Sequence, residues 1–109
     1  MQIASICQIT GFKRRRPLVV NPYQDRKLNN NEFYRKFDHS IDESELVWHR
    51  DHCNRKVTVI EGTGWYIQHD NQLPESLTVD GVYYITKNQY HRVIKSVNAS
   101  TLILKIQEL

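Results

Sequence analysis

From residue 46 onward the chain is a succession of short segments rich in Val, Ile, Thr, Tyr and Trp, each ended within a few residues by a turn signal. The segments are Leu46–Arg50, Lys56–Glu61, Trp65–Asp70, Ser76–Val79, Val82–Thr86, His91–Lys95 and Thr101–Gln107. β-Branched and aromatic side chains suit a pleated, half-buried surface. Val57 and Val59 alternate onto one face, and Leu102, Leu104 and Ile106 alternate against Ile103, Lys105 and Gln107. The breaks are 51–54, Gly62-Thr63-Gly64, Asp70-Asn71, Asp80-Gly81, Lys87-Asn88 and 98–100. Three of the four glycines (Gly62, Gly64 and Gly81) fall in these breaks, where positive φ carries no Cβ clash. Seven short strands at this spacing predict an all-β fold, an antiparallel sandwich or barrel.

The first 45 residues read differently. Ile3, Ile6 and Ile9 recur every three residues, and Leu18-Val19-Val20 can form a brief strand. Asn29-Asn30-Asn31 before Glu32–Phe37 reads as a capped short helix, with Asn30 or Asn31 as N-cap and Glu32 in the first turn. Phe33 and Phe37 would then share a face and cover one end of the barrel. With 109 residues the chain is one domain's length. We expect residues 1–45 to be an N-terminal arm packing on a barrel formed by residues 46–109. Barrel edge strands must be paired or covered, so the arm or a second copy of the chain is expected there, which makes a homodimer the expected assembly.

Fifteen Lys+Arg against twelve Asp+Glu leave a net charge of +3, too small to point to a polyanionic partner. Only Lys13, Arg14, Arg15 and Arg16 form a basic run, and a solvated loop explains it better than a phosphate contact. Nucleic acid is therefore not expected as a partner. A helical membrane span needs roughly 18 apolar residues in succession, and there is no such run. Cys7 and Cys53 have no CxxC partner, and the opening MQIASICQITGF lacks a charged n-region. These features lead us to expect a soluble cytoplasmic protein with free thiols.

Two stretches carry a resemblance: His49-Arg50-Asp51-His52-Cys53-Asn54-Arg55 through Glu61-Gly62, and Gly81-Val82-Tyr83-Tyr84-Ile85-Thr86 through His91. Together they resemble the two motifs of the cupins, small double-stranded β-helix (RmlC-like, jelly-roll) proteins. The likeness covers roughly residues 46–107. The chain is also similar to short cupins of tailed-phage genomes, which would place it in a host cytoplasm. In the resemblance, the His-x-His pair of the first motif falls at His49 and Asp51, and the motif's metal-binding Glu falls at Arg55. The second motif's Pro falls at Thr86 and its last histidine at His91. The resemblance implies that His49, Asp51, Arg55 and His91 converge inside the barrel near one mouth, a natural place for a small-ligand pocket.

Three readings of that cluster are open. His49, Asp51 and His91 form a two-histidine, one-carboxylate set suited to a divalent metal such as Fe(II), although a guanidinium nearby would repel the ion. Alternatively, Arg55 and Asp51 form an ion pair that plugs a former metal site. In the third reading Arg55 binds a small polar or anionic ligand, sugar- or carboxylate-like, with His91 or His49 as a proton-transfer group. Tyr66 and Tyr84 would then serve as ligand-binding walls. Strand alternation sets His52 on the face opposite His49, and His39 and His69 read as isolated, solvated side chains. Whether the chain is an enzyme or a non-enzymatic interaction module stays open at this level.

Overall fold

A computed structural model describes residues 22–109. Lys13–Arg16, Leu18–Val20, Ile3, Ile6, Ile9 and Cys7 lie outside the described residues.

Asn29-Asn30-Asn31 turn a hairpin between strands β1 (Gln24–Lys27) and β2 (Glu32–Phe37) and do not cap a helix. Asn29 Oδ1 accepts the Asn31 N–H at 3.0 Å, while the backbone N–H groups of Leu28 and Asn29 both donate to the Glu32 carbonyl. An Asn side chain that bonds its own local backbone closes a turn as readily as it starts a helix. Phe33 and Phe37 do share a buried face, because strand alternation at i and i+4 gives the same result as a helical turn. Between them on that face lies Arg35, also buried. The short helical element is the 3-10 turn Glu43–Glu45, started by Asp42, whose Oδ1 accepts the Ser44 N–H at 2.9 Å.

The remaining strands are β3 (Arg55–Glu61), β4 (Trp65–His69), β5 (Glu75–Ser76), β6 (Val82–Ile85), β7 (His91–Lys95) and β8 (Leu102–Glu108). They form two antiparallel sheets, one of five strands in the order β1-β2-β8-β3-β6 and one of three in the order β5-β4-β7. The N-terminal hairpin thus extends the larger sheet through six β2–β8 partners, from Glu32↔Gln107 to Phe37↔Leu102. The inner faces bury Val57 and Val59 of β3, Trp65 and Ile67 of β4, and Leu102, Leu104 and Ile106 of β8. Trp65, which could have lined the core or a dimer face, is a core residue at 1% exposure, its indole N–H donating to the Ser100 carbonyl.

Leu46–Arg50 is not a strand: only His49 makes a bridge, exchanging backbone hydrogen bonds of 3.0 and 2.9 Å with His91. Ser76–Val79 shrinks to the two-residue β5, because the chain turns at Thr78, whose N–H donates to the Tyr83 hydroxyl, and that hydroxyl donates to the Ser76 carbonyl. At Asp80-Gly81 the positive φ falls on Asp80, at 69°. Gly81 is there for close approach, since a Cβ would lie 2.6 Å from the Tyr83 hydroxyl. Cys53, expected as a free thiol, is disulfide-bonded. Among the described residues no helix is long and apolar enough to cross a membrane.

Candidate functional site

The end of the barrel where β3 begins and β7 begins gathers four polar side chains that the sequence spreads over more than forty positions. Arg55 opens β3 on the same inner face as Val57 and Val59. His91 opens β7, with the His49 bridge on one side and β4 on the other. Asp51 follows two residues after His49 and is fully buried; its backbone carbonyl is held by the Asn88 N–H at 2.7 Å.

Donor atoms of His49, Asp51 and His91 all lie within 4.8 Å of one another. His91 Nε2 is 3.4 Å from Asp51 Oδ2, and Arg55 reaches the same oxygen at 3.3 Å. The other end of that guanidinium meets Glu108 Oε2 at 3.1 Å. Asp51 is 0% exposed, Arg55 and His91 are 2%, and His49 is the least enclosed of the cluster. Neither Asp51 oxygen accepts a hydrogen bond among the described residues.

The two imidazoles are oriented alike. His49 Nδ1 lies 3.0 Å from the Val47 carbonyl, and His91 Nδ1 lies 3.0 Å from the Gln89 carbonyl. A carbonyl only accepts, so each Nδ1 carries the proton and each Nε2 keeps its lone pair. Burial lowers the His91 pKa to about 4, helped by the neighbouring His49 and opposed by Asp51. Burial also lowers that of His49, opposed by the Val47 hydrogen bond and by Asp51. Both rings are therefore neutral at pH 7, the state in which an imidazole is a ligand or a base. A backbone acceptor on the far nitrogen is also how metal-binding histidines are usually fixed.

Tyr66 and Tyr84 are not brought to this cluster. Tyr84 is 63% exposed on the outer side of edge strand β6, and Tyr66 alternates out of phase with the buried Trp65 and Ile67. His52 is exposed, and His39 is exposed beside Asp38. Two residues near the centre escaped the sequence reading. Arg35, hidden by the helical reading of 32–37, makes a bidentate pair with Asp25 (2.8 and 2.8 Å) and stacks 3.6 Å above the Tyr23 ring. His69, read as solvated, has its ring centroid 6.1 Å from that of His91. Its parity with Trp65 and Ile67 was the available signal.

No protein-family model matches the chain, and no curated protein matches it. Solved structures do. A cupin-2 domain protein from Shewanella frigidimarina superposes with a TM-score of 0.57 at 23% identity, over 84% of this chain and 86% of that one. An RmlC-like cupin from the same organism gives 0.57 at 16% identity, over 84% and 80%. Fe(II)-HppE gives 0.59 at 11% identity, over 80% of this chain but only 48% of that one. At such identities the likeness speaks for architecture, and it agrees with the two facing antiparallel sheets and the inward cluster at one end: the chain has the cupin fold.

Proposed function

We propose that the chain is a small-ligand-binding cupin domain whose centre, His49, Asp51 and His91, takes one divalent metal ion. The observation that carries this reading is the Asp51 carboxylate, fully buried with no hydrogen bond to either oxygen among the described residues, while two neutral imidazoles of the same donor cluster keep Nε2 lone pairs. A buried carboxylate with unfilled acceptor positions is costly, and a cation shared with two imidazoles removes that cost. Donors on a tetrahedral ion at about 2.1 Å stand about 3.4 Å apart, and His91 Nε2 to Asp51 Oδ2 is 3.4 Å. A two-histidine, one-carboxylate set leaves coordination positions open and suits iron(II); the fold neighbour Fe(II)-HppE carries iron(II) by name. A bound ion supplies Lewis acidity toward a small polar or anionic ligand. The backbone carbonyls of Val47 and Gln89 hold the two rings in the ligating tautomer, and Arg55 favours an anionic ligand over a cationic one.

Titration of chelator-stripped protein with Zn(II), and with Fe(II) under anaerobic conditions, tests this reading. One ion per chain is expected, lost in His91→Ala. A second reading rests on the 3.3 Å contact between Arg55 and Asp51. In it the guanidinium is the resident counter-ion and the site takes an anionic ligand without metal. Wild-type protein that takes up no ion would favour this second reading over the first.

A further inference from the structure

His69 ends β4 directly opposite His91 in the β4–β7 ladder. It shares a strand face with the core residues Trp65 and Ile67, so its ring points into the barrel end. His69 Nε2 is buried and has no hydrogen-bond partner among the described residues. The His69 and His91 rings lie 6.1 Å apart at 41°, and on the other side of His91 the His49 ring is 4.3 Å away. Three imidazoles thus line up across one end of the barrel: His91 with Nε2 3.4 Å from Asp51, His49 beside it in the same donor cluster, and His69 with an Nε2 that nothing in the described chain satisfies.

A buried polar atom left without a partner costs about 1–3 kcal/mol, so a ligand that would satisfy it is the first thing to seek. Arg55 cannot be that centre's further donor, because a guanidinium has no lone pair. We propose that His69 Nε2 is a fourth protein donor to the metal centre, joining His49, Asp51 and His91. The inference rests on the metal reading above. Two imidazoles bound to one ion through nitrogens at about 2.1 Å have centroids roughly 4.5–6.4 Å apart, according to the angle at the ion. The 6.1 Å separation falls inside that range, and the 4.3 Å separation falls just below it. His69 stands outside the set of donors gathered within 4.8 Å, so its side chain must rotate inward on loading, a movement that no hydrogen bond to Nε2 among the described residues opposes.

The direct test loads the wild-type protein with 113Cd and records histidine 15N spectra. Three Nε2 resonances split by one-bond coupling to cadmium are expected. Two split resonances would overturn the role of His69 while leaving the metal centre intact, and none would overturn both. In parallel, His69→Gln should bind Zn(II) one-to-one with affinity lower by at least tenfold, since even outer-shell partners of a metal site cost 10–100-fold on removal. His91→Gln should bind none. Unchanged affinity in His69→Gln, with binding lost in His91→Gln, would refute the fourth donor alone.

Discussion

Replacing Arg55 with Met removes a buried guanidinium and leaves a side chain of comparable length in the core. Arg55 lies 3.3 Å from Asp51 Oδ2, with the two residues 2% and 0% exposed. At an effective dielectric of 20, unit charges that close attract by about 5 kcal/mol. Breaking a buried pair by deleting one member typically costs about 3–5 kcal/mol, because the charge left behind has no compensation. Glu108 also loses a partner, but at 12% exposure it lies nearer solvent and contributes less. We therefore expect Arg55→Met to lower unfolding stability by about 3–5 kcal/mol in urea with chelator present. The same change removes a positive charge next to the proposed ion, so Zn(II) should bind at least tenfold more tightly, about 1.4 kcal/mol. Metal should then restore much of the loss, about 2.7 kcal/mol at a hundred times Kd. Isothermal titration and urea melts with and without metal read both effects. A variant as stable as wild type, with the same metal affinity, would refute the claim that Arg55 balances Asp51.

Stability should also fall on mild acidification. His91 has its folded pKa lowered to about 4 from 6.5, and that of His49 is lowered in the same direction. Between those values the unfolded chain binds protons that the folded chain refuses, so stability is present above about pH 6.5 and is lost as pH falls toward 4. The His91 contribution is on the order of 3 kcal/mol. Chelated protein melted at intervals from pH 7.5 to 4.5 should show the decline, and His91→Gln should flatten it; an equal slope in the variant would count against the assignment. Gly64→Ala should destabilise by more than about 1 kcal/mol. Its φ is +84°, and a Cβ would sit 2.6 Å from Ser96 Oγ and 2.9 Å from Ala99 Cα. A thermal midpoint equal to wild type would show that the turn tolerates a side chain.

The barrel strands were legible because composition and parity agreed: Val57, Val59, Leu102, Leu104 and Ile106 alternate inward as read, and β7 spans His91–Lys95. The N-terminal hairpin was not. In the run Glu32–Phe37 the aromatic spacing of four satisfies a helix and a strand equally, and Asn29-Asn30-Asn31 can cap one or turn the other. Only the pairing partner decides, and β8 lies some seventy residues away in sequence. Long-range pairing outweighs local propensity wherever the local signal is degenerate in this way. The same limit explains Leu46–Arg50, which has β-prone composition but ladder pairing at His49 alone.

The site tells the complementary story. His49, Asp51, Arg55 and His91 were placed together through motif likeness, and the cluster exists; Tyr66 and Tyr84 were added on chemical grounds alone, against their parity, and they lie elsewhere. A histidine next to Asp70 carries the local signal of a solvated side chain, yet Trp65, Ile67 and His69 share one face and the first two are core. Parity fixes which side of a sheet a residue faces, and the cross-strand register then sets its neighbour, here His91. A histidine on the inward parity of a barrel strand near its open end therefore belongs with the other polar groups of that end, whatever its sequence neighbours are. By that reasoning the barrel end, among the described residues, gathers three imidazoles, Asp51 and Arg55, with Glu108 on the far side of the guanidinium. The ion pair of Arg55 with Asp51 and the proposed metal would compete for the same carboxylate oxygen, so on this proposal loading requires Glu108 to hold the guanidinium away.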